Sequence, residues 1–197
     1  MLPWINFFCL IISIILFCYF YTLSITPKKR EKEKGKKAWK QCAQFRTIAG
    51  GLEFVISINV ILWIWFPISN LSWKIHPNHW VGIGVSIAII IPGLIIMFNG
   101  IKDAGSETYK PSNQTKMYGG IYRYIRHPQS LGEFPIFIAL AFFVNSWFLV
   151  FILTIFVVTY VPIMIHYEEE DLIRRFGEPY KKYRAETGAI LPKINKK

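Results

Sequence analysis

Four stretches of this sequence, at residues 2–25, 47–68, 79–98 and 128–166, stay apolar for the length of a bilayer crossing or more, and they limit the possible folds more than any other feature. A helix needs about 20 mostly apolar residues to cross the hydrocarbon core. Only elements that satisfy their own backbone hydrogen bonds can lie there, so each stretch is predicted to be helical. The fourth is longer than one crossing requires, and Asn145, Ser146 and Trp147 interrupt it near its middle. It reads either as two spans closing in a tight hairpin or as one very long helix, which would leave the C-terminus on the opposite side.

Charge separates these two possibilities. The 197-residue chain is 53% hydrophobic yet carries a formal net charge of +11. With five spans, residues 27–46, 99–127 and 167–197 hold 22 of the 23 Lys and Arg residues, leaving Lys74 alone on the other face. Such asymmetry marks the cytoplasmic side. The expected fold is therefore all-α and polytopic, with about five transmembrane helices, the N-terminus outside and the C-terminus cytoplasmic. Residues 1–98 would supply three N-terminal spans and a basic connector, and residues 99–197 a functional core. The first run has no basic residues before it and KKREKEKGKK soon after, the reverse of a secretory signal, so it is predicted to be a retained span. So apolar and basic a chain fits a membrane surface rather than nucleic acid.

Several polar features are bounded by this frame. Cys9, Cys18 and Cys42 show no paired spacing, which suggests neither a disulfide framework nor a zinc site. His76 and His79 could form half of a metal site, but nothing accompanies them, and no metal is expected. Trp73 and Trp80 fit as interface anchors. In the second span Glu53 should face the protein interior or a cavity, either paired with Arg46 two turns earlier or serving function. Gly50 and Gly51 would allow close helix contact there. Glu133, about one and a half turns into the fourth span, should also line a cavity.

The most informative stretch is GGIYRYIRHPQSLGE, residues 119–133. A helix should start at Pro128, where a missing N–H costs nothing, leaving the N–H groups of Gln129, Ser130 and Leu131 free to face an anion. Alternatively, Arg123, Arg126 and His127 only mark the water-facing end of a span. On the same face lies the tail HYEEEDLIRRFGEPYKKY. Helical spacing puts Glu168 with Leu172 and Phe176, and Glu169 with Ile173, on an inward stripe. Glu170 and Asp171 fall four before Arg174 and Arg175 and should form exposed pairs, with the helix ending near Gly177. A cationic helix start facing two carboxylates suits a ligand bearing both charges, such as an amino-acid zwitterion, or a ribose. S-adenosylmethionine has both; the other reading is a helix-end salt bridge with no ligand.

RHPQSLG followed some forty residues later by EEE, FGEPYKKY and TGAILP resembles the integral-membrane methyltransferases typified by isoprenylcysteine carboxyl methyltransferase and the phospholipid N-methyltransferases. The resemblance covers about residues 99–193. It implies a cytoplasmic-face cofactor pocket for S-adenosylmethionine, held by Arg126, His127, Pro128, Glu168 and Glu169, with Gly120, Tyr122 and Tyr180 at matching positions. Two positions depart: Ser130 stands where the family usually has Tyr, keeping a hydroxyl, and Met164 stands where the isoprenylcysteine enzymes tend to have Arg. The implied reaction is methyl transfer to a lipid-like or prenylated small acceptor, a carboxylate, amine or thiol, at the membrane interface, with membrane lipids as surroundings. Glu53, Glu133 and His166 are the candidates to take a proton from an acceptor that carries one. Two other readings remain at this point. One is a nicotinamide-dependent reductase of the sterol-reductase type, with Arg123, Arg126 and Lys116 on phosphates; the other is a non-enzymatic scaffold or transporter subunit.

Overall fold

The computed structural model describes residues 1–112 and 119–193, and Lys116 lies outside them, as does Asn113 of the turn signal at 111–113. Among the described residues seven α-helices follow in order: α1 Leu2–Ser24, α2 Pro27–Lys34, α3 Lys37–Leu62, α4 His79–Ala104, α5 Pro128–Phe143, α6 Trp147–Phe176 and α7 Glu178–Glu186. Among the described residues there are isolated bridges but no strand. Four helices, α1, α3, α4 with the short turn after it, and α6, are long and apolar enough to cross a membrane. The fifth, α5, has 16 residues. At 1.5 Å per residue it covers about 24 Å, short of a full hydrocarbon core.

Expected and observed boundaries differ where charge tapers gradually. α3 begins at Lys37, ten residues before the apolar run, because Lys and Gln are good helix formers and nothing breaks the helix. α4 runs on from Phe98 to Ala104 and stops at Gly105, whose φ of 60° suits glycine. The fourth apolar run does divide into a hairpin. Asn145, at φ 57°, turns the chain, and Ser146 caps α6 by accepting from Leu149 N at 3.3 Å. Asn145 also ties the hairpin tip to the loop before α4: its Oδ1 accepts from the Ile75 and His76 N–H groups, and its Nδ2 donates to His76 O.

The core is built where α1, α3, α5 and α6 meet. Phe17, fully buried, has ring neighbours in Phe134, Phe137, Phe156 and Tyr160. On the outside, Phe8, Ile12, Phe54, Ile91, Ile95, Phe151 and Val158 are all exposed. Apolar side chains on both faces of these helices suit a lipid surround. α4 and α5 approach most closely at Gly93 and Gly132, where a Cβ on either would sit under 3 Å from the carbonyl oxygen of the other. Gly50 and Gly51 do not have the expected role: both face open space, and the close-contact glycines are those on α4 and α5.

Two other expectations are corrected. Asp171 is not a surface solubiliser but 1% exposed. Its Oδ2 and Oδ1 accept from the backbone N–H groups of Lys28 and Lys29, at 3.1 and 2.7 Å, so it caps the start of α2 from a distant helix. Its supposed partner Arg175 instead pairs with Glu107 at 2.8 Å. Glu170 and Arg174 do form the exposed pair. Arg46 does not pair with Glu53; its Nη1 donates to the carbonyls of Glu107 and Thr108.

Candidate functional site

Helical periodicity, read on four helices at once, produces one cavity. Arg46, Gly50 and Glu53 of α3, Met97, Ile101 and Ala104 of α4, Gln129, Ser130 and Glu133 of α5, and Glu168, Leu172 and Arg175 of α6 line a space of about 300 Å³. Each set falls on one helix face. Tyr21, Tyr109, Tyr122, Tyr180 and Tyr183 add aromatic walls. A volume at the lower end of the range for small-molecule sites, with apolar walls and a few convergent polar groups, is what a ligand pocket requires.

At the lip, Arg126 and His127 precede Pro128, the first residue of α5. Leu131 N donates back to His127 O at 3.0 Å, so of the three N–H groups expected to be free, this one is used by the helix itself. The lip is held by a segment whose part was not apparent from spacing. Arg126 N donates to Gly188 O and His127 N to Ala189 O, and Arg126 Nη1 donates to the carbonyls of Arg184 and Thr187. Buried backbone groups need such partners, and the TGA turn after α7 supplies them.

The two inward acids have different tasks. Glu169, 3% exposed, accepts from Arg126 Nε at 2.7 Å through Oε1 and meets Arg184 Nε at 2.8 Å through Oε2. His127 is a third partner, its Nε2 at 3.1 Å. Among the described residues Glu168 pairs with His127 alone, Nδ1 to Oε2 at 3.1 Å, and lines the cavity. Glu169 therefore organises the lip and Glu168 presents a carboxylate to the cavity. Burial of His127 favours its neutral ring, but the hydrogen bonds and negative charge of Glu168 and Glu169 outweigh this and push it up to about 9. The ring is a cation at neutral pH.

The remaining residues named from sequence separate in the same way. Tyr122 lines the cavity, its hydroxyl accepting from Gln129 Nε2 at 2.9 Å. Burial raises the phenols of Tyr122 and Tyr180, and pushes Tyr183 up to about 12, so all three stay protonated donors. Ser130 lines the cavity and Pro128 is buried beneath the lip. Gly120 lies outside the cavity wall, at φ 58°, against the Asp103 carboxylate, which accepts from Ile121 N. His166 is exposed, with its ring against Tyr167, and is not among the cavity residues. Glu53 and Glu133 are both in the cavity, their carboxyl groups within hydrogen-bonding reach of each other.

Residues 79–179 match the model of the phospholipid methyltransferase family. The chain is 28% identical over 160 residues to a methanethiol S-methyltransferase of Pseudomonas deceptionensis, covering 73% of this chain and 59% of that protein. It is 26% identical over 153 residues to methanethiol S-methyltransferase 1 of Bradyrhizobium diazoefficiens, covering 70% and 51%. To the corresponding protein of Crocosphaera subtropica it is 28% identical, covering 72% and 59%. The chain thus spans less than two thirds of the length of these relatives. No solved structure matches.

Proposed function

We propose, from the premise that this chain belongs to the phospholipid methyltransferase family, that it is an integral-membrane enzyme transferring a methyl group from S-adenosylmethionine to a small lipophilic acceptor. The observation that carries this reading is the His127–Glu168 ion pair, both of whose residues lie in the family-matched segment, on the wall of the cavity. The donor set fits the cofactor. Glu168, oriented by His127, can accept from its ammonium or ribose hydroxyls, the start of α5 can meet its carboxylate, and the tyrosines can flank its adenine. Arg126 and Glu169 hold those groups in place. When bound, the cofactor supplies a methyl group made electrophilic by a sulfonium.

A thiol is the acceptor we place first, because the relatives are named for methanethiol. The chain's own part is alignment and exclusion of water, which suffice for an in-line transfer between well-oriented partners. Met164, buried against Ser130, stands where a carboxylate clamp would need Arg, which disfavours a carboxylate acceptor. The site, with the tail, we place at the cytoplasmic face by the charge asymmetry. Purified protein in detergent, given cofactor labelled in its methyl group and methanethiol, should form labelled dimethyl sulfide. Labelled product with ethanolamine lipids but none with thiols would move the acceptor to amines, and no product with either would reject the activity.

A further inference from the structure

Most charged groups around the cavity have an opposite partner or a backbone ligand. Glu168 has His127, Arg175 has Glu107, and Arg46 has two carbonyls. Glu53 and Glu133 do not: one comes from α3, the other from α5, and they face each other. Neither forms an ion pair among the described residues. Glu133 Oε1 is shut off from solvent on a cavity wall and has no hydrogen-bond partner among the described residues. An orphaned buried carboxylate oxygen is costly enough to need an explanation.

Two carboxyl groups facing each other in an apolar surround cannot both carry a full charge, but beside a cation they can share one proton and one negative charge. Such a pair can do two things for a reaction beside it. It offsets one positive charge, and it can take up one further proton. Methyl transfer to a thiol presents both demands, because the donor is a cation and the acceptor has a proton to lose.

We propose that Glu53 and Glu133 together form the counter-charge and proton acceptor of the acceptor subsite, and so restrict it to nucleophiles that carry a removable proton, a thiol in the first place. This rests on the reading of the chain as an S-adenosylmethionine-dependent methyltransferase. As the acceptor sulfur bonds to the methyl carbon, the bond from that carbon to the donor sulfur breaks with its electron pair left on the donor, and the thiol proton passes to a carboxylate oxygen of the pair. Before the step the donor's sulfonium and the pair carry one positive and one negative charge; afterwards both thioether products and the pair are neutral. The step therefore leaves the net charge of the reacting groups unchanged, which suits a low-dielectric site. A carboxylate acceptor would add a second negative charge beside the pair and is excluded. The proton leaves to water through the lip before the next turnover.

The test compares wild type with Glu53→Gln and Glu133→Gln, which keep shape and remove charge. Calorimetry with S-adenosylhomocysteine shows that each variant is folded, and the two substitutions lie on different helices, so either one alone suffices. The ratio of affinities for the sulfonium cofactor and its neutral thioether product should fall about tenfold in the variants, because only the first needs the counter-charge. Turnover of an alkanethiol should fall about a hundredfold or more, and an arenethiol, already ionised in solution, should recover most of that loss. An unchanged affinity ratio, or equal loss on both thiols, would overturn the proposal while leaving the methyltransferase reading intact. A folded wild type that binds no S-adenosylhomocysteine would overturn that reading first.

Discussion

The two ends of α5 are held by different chemistry. At the hairpin end, one neutral side chain, Asn145, makes three hydrogen bonds to the backbone of residues 75 and 76. At the lip end, Arg126, His127 and Glu169, all buried, converge with the partly exposed Glu168 and Arg184 in an ionic cluster. Amide-to-backbone bonds are enough to fix a turn. Buried charges cost far more to desolvate, and hydrophobic packing could have closed that end at no loss of stability. Charge beyond what the fold needs, placed against a cavity, is the ground on which we propose that end as the one that handles a polar ligand.

Breaking each end should separate stability from binding. The largest effect is expected for Glu169→Ala, which takes the carboxylate from the buried Arg126 guanidinium while the half-exposed Arg184 stays solvated; a loss of about 3–5 kcal/mol in denaturant or thermal unfolding would be measured, with binding lost in consequence. Asn145→Ala removes its three bonds and a residue suited to φ 57°, and should cost about 2–3 kcal/mol in unfolding while leaving cofactor affinity at the wild-type value.

A pH series sharpens the contrast. His127 is raised from 6.5 to about 9, so its contribution is fully present below pH 6.5 and is lost as pH rises through 9. The wild-type unfolding midpoint should fall over that window, by the equivalent of up to about 3 kcal/mol, and the fall should be absent in His127→Gln. The smallest effect is expected at Glu170, whose exposed pair with Arg174 should be worth at most about 0.5 kcal/mol on Glu170→Ala.

What the sequence made legible follows the same division. Apolar length and charge asymmetry located the helical bundle and the hairpin at Asn145, since both depend on local composition. The inward placement of Glu168 and Glu169 followed from helical spacing, and their proximity to His127 from topology. Asp171 was misjudged because four consecutive acids look alike on one helix, and its capping of α2 is a contact 142 residues away along the chain. The same long range hid Arg184 and the Gly188–Ala189 carbonyls, which complete the lip. Glu53 and Glu133 were each legible as costly charges in a span, but that they meet each other rather than Arg46 depends on how α3 and α5 are rotated. Spacing within one helix does not fix that rotation.

The central claim is that the ionic lip is a binding site for the methyl donor and not merely a helix-end brace. Calorimetric titration of detergent-purified protein with S-adenosylhomocysteine, run on wild type, His127→Ala and Asn145→Ala, tests it directly. The account predicts saturable binding to wild type and Asn145→Ala and its loss in a folded His127→Ala. Equal binding by all three, or none by the folded wild type, would contradict it.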